Sequence, residues 1–286
     1  MTRFAALILF CLSFRSLAEV TAPPPCLKLD SFYTKHIDSE GFSIVASGKV
    51  SDYALEEAAY LFNMMLAKRP DVRKAMIANG SYMVVMAYDQ FVTDMPEFRH
   101  FVPKDYWDAR ARGLGGSETD PVSCVAEENL LAFPGDPYFE ESIFIHEVAH
   151  QIHLRGLVDV DKTWDARVKA AYASAMKKGL WAKKYASVNH HEYFAEGVQS
   201  WFDDNRPPDH DHNHVNTRKE LKAYDPGLAA LCEEAFGETE LVYTKPGTRL
   251  HGHLEGYEPR IAPRFAWPAR LKAAQKLIKE EVKRRE

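Results

Sequence analysis

The sequence predicts an α+β protein, with a small twisted sheet in its first half and a mostly helical second half. Two segments predict the sheet. "SYMVVMAY" (81–88) is short, β-branched and aromatic, and "VSCVAEENLLAF" (122–133) follows "GLGG" (113–116), whose glycines interrupt regular structure. Helix-capping residues and amphipathic patterns then recur from residue 136 onward. With 286 residues, 46% of them hydrophobic, the chain can bury a substantial core.

The first predicted helix lies within residues 51–68. Its apolar residues recur at helical spacing, which indicates one buried face. They are Leu55, Ala58, Phe62, Met65 and Leu66.

The next predicted helix spans residues 137–156. Asp136 can cap it, Pro137 suits its first turn, and Gly156 is placed to end it. Further helices are predicted over the connecting segment 161–180 and over 189–203.

The last part of the chain begins with a capping box. Thr217 and Glu220 predict the start of a helix over 218–236. Residues 245–268 have no regular pattern, and 269–286 form a basic amphipathic helix. The apolar face of this helix comprises Leu271, Ala274, Leu277, Ile278 and Val282. It either docks on the domain, which we favour, or lies on a membrane surface.

Charge and cysteine content limit the possible functions. The formal net charge is −5, and no basic stripe predicts binding to nucleic acid. Cys11 lies in an N-terminal segment expected to be cleaved. The remaining Cys26, Cys124 and Cys232 permit at most one internal disulfide, whose pairing the sequence leaves open.

"ESIFIHEVAHQIHLRG" (141–156) contains an HExxH motif formed by His146, Glu147 and His150. The two histidines are four residues apart, so they lie about 40° apart around a helix and roughly 6 Å along it. They can therefore share one cation. Glu147 can hold a metal-bound water without binding the metal itself, which is the position of a general base.

A catalytic zinc site needs a third protein ligand and an open position for water. His153 returns to the same helix face as His146, but three ligands on one straight helix would require it to bend. We therefore expect His153 to pack or hydrogen-bond beside the site. The longer metzincin pattern is absent, since it requires glycine at position 153 and histidine at 156.

"YASVNHHEYFAEGVQSWF" (185–202) offers a better source of the third ligand. Glu192, Glu196 and Gln199 form a polar stripe beside an apolar helix face. Two carboxylates on a half-buried helix need a cation or hydrogen-bond donors, because an unpaired buried charge is very costly. The alternative is a solvated acidic stripe.

"HEVAH", followed 42 residues after His150 by "EYFAE", resembles the gluzincin class of zinc peptidases. The resemblance is greatest to the catalytic domain of the anthrax toxin lethal factor family and covers about residues 120–203. In that family a tyrosine is followed four residues later by asparagine, and three further on by the ligand glutamate. The matching residues here are Tyr185, Asn189 and Glu192.

The resemblance implies a zincin-like fold and one zinc ion per chain, bound by His146, His150 and Glu192. Glu147 would be the general base, and Tyr185 would face the substrate. By the resemblance, Glu196 would orient a ligand histidine. Asn189 and, from the helix geometry above, His153 are also expected beside the ligands.

The expected function is that of a secreted zinc-dependent endopeptidase acting on a peptide or protein substrate. Zinc polarises the scissile carbonyl, Glu147 transfers the proton, and Tyr185 donates to the oxyanion. The alternative for Tyr185 is packing against the helix. An extended substrate would lie along an edge strand, for which 122–131 is the candidate.

Two other functions remain open: a zinc amidase acting on cell-wall peptides, and a secreted binding protein that retains the metal without turnover. Intact Glu147 argues against the latter.

The "DHDHNH" segment (209–214) either binds a second metal ion or forms a polar loop, and we favour the loop. The sequence leaves the oligomeric state open.

Four segments are predicted. Residues 1–18, with Arg3 before an apolar run, form a cleaved secretory signal. The alternative of a membrane anchor is disfavoured because the run is well short of the roughly 20 residues that span a bilayer, so no stable membrane insertion is expected. Residues 19–30 are a poorly packed proline-rich spacer, 31–244 the catalytic domain, and 245–286 a C-terminal extension.

Overall fold

The structure is a computed structural model that describes residues 19–283. The predicted signal segment, 1–18, lies outside the described residues, as does the side chain of Val282. Between residues 19 and 283, no helix is both long and apolar enough to cross a bilayer.

The sheet has five strands in the order β1-β2-β3-β5-β4. The central strands β2, β3 and β5 run parallel, and β1 and β4 are antiparallel to their neighbours at the two edges. The strand predicted at 81–88 is confirmed as β3. Of the segment 122–133, only its first five residues form a strand, β5, and Glu127–Leu130 is helical. The bounds are Lys35–Ser39 (β1), Phe42–Ala46 (β2), Tyr82–Met86 (β3), Gly113–Leu114 (β4) and Val122–Ala126 (β5).

The α-helices in the described residues confirm an α+β fold with a mostly helical second half. They are Asp52–Met65 (α1), Pro70–Ala78 (α2), Lys104–Arg110 (α3), Glu127–Leu130 (α4), Ile143–Ile152 (α5), Val158–Val160 (α6), Trp164–Lys177 (α7), His190–Trp201 (α8), Arg218–Tyr224 (α9), Pro226–Phe236 (α10) and Lys272–Lys283 (α11). A π-helical segment, His153–Leu157, joins α5 to α6.

Both faces of the sheet are buried. Met83 and Val85 of β3 point into the main core with helices α1, α5 and α8, while Val84 and Met86 point into a smaller core on the other face. Alternation along a strand sends successive side chains to opposite faces. Two buried faces explain why β3 is a continuous apolar run.

The start of α5 differs from the prediction. The helix begins at Ile143, not at residue 137, and Asp136 instead accepts hydrogen bonds from Asn129 and Tyr138. The first N–H groups of α5 are satisfied by side chains distant in sequence. Ser142 donates to Asp204 Oδ1 at 2.8 Å, and Ile143 donates to Asn129 Oδ1 at 2.9 Å.

The predicted end of this helix is also wrong. Gly156 lies inside the π-helical segment, and the chain continues helical to Val160. A Cβ atom at position 156 would lie 2.6 Å from Val72 Cγ1 on α2. Glycine is therefore present because two helices approach closely, not because a helix ends.

The helix predicted over 218–236 is two helices, α9 and α10. Proline at position 226 lacks an N–H and disfavours helical geometry in the residue before it, so the helix breaks at Asp225. Asp225 then caps α10 by accepting from the Leu228 N–H. The capping box of Thr217 and Glu220 is confirmed.

The C-terminal helix docks on the domain, as favoured above. Leu271 and Ala274 are buried against Phe91 and Ala109, whereas Leu277 of the predicted face is 53% exposed. At the other end of the chain, the predicted spacer is tied to the sheet, since Thr21 exchanges two backbone hydrogen bonds with β1. The three thiols in the described residues are all free.

Candidate metal centre

Two packed helices carry the predicted ligands. His146 and His150 lie on α5, and Glu192 lies in the first turn of α8. Asn189 caps α8, because its Oδ1 accepts the N–H groups of His191 at 2.8 Å and Glu192 at 3.0 Å. This cap fixes the turn that presents Glu192 to α5.

The three ligand atoms form a nearly equilateral triangle. His146 Nε2 lies 3.0 Å from Glu192 Oε2 and 3.2 Å from His150 Nε2, and His150 Nε2 lies 3.2 Å from Glu192 Oε2. Zinc binds nitrogen and oxygen at about 2.0–2.2 Å, so two ligands of a tetrahedral ion are separated by roughly 3.3 Å. These residues could therefore hold one ion with a fourth position open.

The charges in the cluster also suit a cation. Burial lowers the pKa of His146, but the hydrogen bond to Glu192 and the surrounding carboxylates outweigh it and raise the pKa to about 10. Burial raises the pKa of Glu192, yet the charge of His150 and hydrogen bonds from both histidines hold that pKa well below its usual range. A cation would displace the proton that the cluster shares.

Gln199 orients His146. Its Oε1 accepts the Nδ1–H of His146 at 2.9 Å, while its Nε2 donates to Glu141 Oε2 at 2.9 Å. Once the proton shared with Glu192 is lost, Nε2 of the neutral ring can face a metal. Glu196, for which this role was predicted, lies farther away, with Oε1 3.6 Å from His146 Nδ1.

Glu147 faces a cleft of about 500 Å³ beside the ligands. Burial raises its pKa, and the charges of His146 and His150 oppose that shift. The "GLGG" segment forms the opposite wall. A Cβ atom at Gly113 would lie 2.9 Å from Glu147 Cγ, and one at Gly115 would lie 2.6 Å from His150 Cβ. These glycines allow the edge of the sheet to pass directly over α5.

The prediction that 122–131 contains the edge strand is wrong. β5 pairs with β3 on one side and with β4 on the other. The edge is β4, Gly113–Leu114, which lines the cleft. The sequence did not predict β4, because the strand has only two residues and one of them is glycine.

Tyr185 lines the same cleft from a 3₁₀ turn, Tyr185–Ser187, that precedes α8. Its ring centroid lies 6.0 Å from that of His146, and its side chain is 37% exposed. Burial of the phenol and the neighbouring carboxylates raise its pKa well above the usual value. The hydroxyl therefore keeps its proton at neutral pH and can donate it in a hydrogen bond.

His153 lies outside the triangle, in the π-helical segment beyond α5, and is fully buried. The expected packing beside the site is confirmed by its contact with Phe194. Burial lowers its pKa to about 3, so the ring is neutral.

The 209–214 loop, predicted as a polar loop or a second metal site, places one buried histidine near the centre. His212 is buried, with Nδ1 2.9 Å from Asp209 Oδ1 and Nε2 3.6 Å from Glu196 Oε1. The loop is not among the groups of potential metal ligands in the described residues. Tertiary contacts bring three side chains around the centre that no local sequence pattern predicts there: His212, Glu141 and Gln199.

The fold and the cluster together define an α+β protein with a His-His-Glu triangle beside a free carboxylate and a sheet edge. The sequence matches no protein-family model, and comparison with curated proteins finds no significant match. The choice of function therefore depends on the chemistry of this centre.

Proposed function

We propose that this protein is a zincin-like, zinc-dependent endopeptidase of the gluzincin type. The observation that carries the proposal is the ligand triangle of His146, His150 and Glu192, with Glu147 directly beside it. A bound zinc ion would polarise the scissile carbonyl and acidify a water molecule. A metal-retaining binding protein would have no use for a free carboxylate in the position of Glu147.

The residues of the cleft have distinct tasks. Glu147 accepts the proton of the attacking water and passes it to the leaving amine. Tyr185 donates a hydrogen bond to the oxygen on which negative charge develops. An extended peptide adds to the sheet along β4, which brings its backbone over Glu147. We also propose, from residues 1–18, that the chain is secreted.

Cleavage of a mixed peptide library by the purified protein, followed by mass spectrometry, tests this function. We expect internal peptide bonds to be cut, the activity to disappear on chelation, and zinc to restore it. A zinc-loaded protein that leaves all peptides intact would contradict the proposal.

Replacing Gln199 with leucine should weaken zinc binding by about 10- to 100-fold, because it removes the partner that orients His146. Glu196→Gln should have a smaller effect, since its carboxylate is 3.6 Å from the same nitrogen. Competition with a chelator of known affinity measures both. Ser200→Ala is the matched control, because Ser200 is buried on α8 and, in the described part of the chain, its hydroxyl bonds to two backbone carbonyls and to Asn205 but not to the ligands. If Glu196→Gln lost more zinc affinity than Gln199→Leu, Glu196 would be the residue that orients His146.

Tyr185→Phe should lower kcat by roughly 10- to 10³-fold with little change in KM, because a donor aimed at the oxyanion acts once charge develops. Steady-state kinetics of zinc-replete protein on one cleaved peptide measures the effect. If Tyr185 only packs on α8, stability or zinc retention should fall instead, with turnover of the loaded fraction unchanged. Tyr172→Phe controls for loss of a phenol, since its hydroxyl donates to the Ser187 carbonyl beside the same turn.

A further inference from the structure

A second group of potential ligands lies next to the first centre. Asp165 at the start of α7 and the pair His190 and His191 at the start of α8 place one ligand atom each within 4.8 Å of one another. None of these three belongs to the ligand triangle described above.

His153 points into this group. It is fully buried, and within residues 19–283 neither of its ring nitrogens has a hydrogen-bond partner. Its Nε2 lies 3.4 Å from Asp165 Oδ1, and its ring meets that of His191 edge-on at a centroid distance of 5.4 Å. Burying a polar group without a hydrogen-bond partner costs free energy, so this ring indicates that a ligand binds nearby.

Asp165 Oδ1 lies close to the Nε2 atoms of three imidazoles, of which those of His190 and His191 also lie within 4.8 Å of each other. Its Oδ1 lies 2.9 Å from His190 Nε2, 3.4 Å from His153 Nε2 and 3.8 Å from His191 Nε2. Two ligands of a tetrahedral zinc ion are separated by roughly 3.3 Å. The other oxygen, Oδ2, pairs with Lys169 at 2.7 Å, which leaves Oδ1 to face the ion.

We propose that Asp165, His190 and His191 form a second metal site, which takes a divalent ion of the zinc class, with the buried His153 beside it. Two imidazoles and one carboxylate suit zinc, and Nε2 of the buried His153 lies 3.4 Å from the Asp165 ligand atom. Ion pairs of Asp165 with Lys169 and His190 alone would leave the ring nitrogens of His153 without a hydrogen-bond partner among the described residues.

The proposed ion would join two segments of the chain, the start of α7 and the first turn of α8, next to the π-helical segment that carries His153. His191 directly precedes the ligand Glu192. The second ion would therefore hold the turn that presents Glu192, without taking part in the chemistry.

Metal analysis of four proteins tests the proposal, after dialysis against zinc and then zinc-free buffer. They are the parent, His146→Ala/His150→Ala, Asp165→Asn/His190→Gln, and the combination of all four substitutions. We expect about two, one, one and zero zinc ions per chain. Values near one, zero, one and zero would overturn the second site. Values near one, one, zero and zero would instead contradict the first centre, so the two failures are distinguishable.

The His146→Ala/His150→Ala protein tests the site even if the Asp165 variant fails to fold. Its single ion should raise the thermal midpoint by on the order of 5 °C, a gain that a chelator removes. A protein that retains no zinc and has the same midpoint with and without chelator would overturn the proposal. His251→Gln, at an exposed histidine outside both groups, should still bind two ions.

Discussion

Glu147→Gln is expected to lower kcat/KM by about 10²- to 10⁴-fold, the range that general acid–base catalysis supplies. Glutamine has nearly the same shape as glutamate, so the variant should still fit beneath β4. Its amide cannot accept the proton of the attacking water at neutral pH. Zinc content and thermal midpoint should therefore match those of the parent.

Kinetics on one cleaved peptide, with zinc measured in the same sample, provide the test. Glu140→Gln is the matched control, because it makes the same change at an exposed position shortly before α5. It should leave turnover within about twofold of the parent, since surface substitutions change little. Unchanged turnover in zinc-loaded Glu147→Gln protein would reject the peptidase mechanism.

The sequence predicted best those elements whose signals are local. The strand β3 is a compact apolar run, α1 has a clear helical period, and the capping box at Thr217 lies within four residues. The start of α5 could not be predicted in this way. Its cap is supplied by Asn129 and Asp204, which reach it only in the folded chain.

The same distinction applies to the candidate centre. Spacing and family resemblance together predicted the group His146, His150 and Glu192, which the structure brings together. Gln199 was noted only as part of a polar stripe, because its contact with His146 depends on how α5 and α8 pack. The sheet edge was misplaced because glycine in β4 reflects close approach to α5, whereas in sequence it signals a break.

Arg112, which no sequence pattern singled out, holds the start of the edge strand β4 in place. Its side chain and that of Glu128 are both fully buried, with Nη2 3.1 Å from Glu128 Oε2. The guanidinium also donates to the Gln90 carbonyl and lies 4.8 Å from the ring centroids of both Phe91 and Phe265. Arg112 directly precedes β4, so this network anchors one wall of the cleft.

Arg112→Leu should lower the free energy of unfolding by about 3–5 kcal/mol, because it leaves the Glu128 carboxylate buried without its partner. Arg112→Leu/Glu128→Leu should cost less than the single change, since no buried charge then remains. Denaturant unfolding of the parent, both single variants and the double variant measures the coupling. A double variant as unstable as the sum of the single variants would show that the pair contributes nothing specific.

The pH dependence of the Arg112→Leu defect identifies its cause. Burial raises the pKa of Glu128 to about 7 even though Arg112 opposes the shift, and loss of Arg112 should raise the pKa further. An acid whose pKa is raised in the folded protein binds more protons in the folded state than in the unfolded state. Its contribution to the free energy of unfolding therefore falls as the pH rises above its pKa in the unfolded chain, about 4.3. The defect should therefore be smaller at pH 5 than at pH 8. A defect of equal size at both pH values would point instead to lost packing between Phe91 and Phe265.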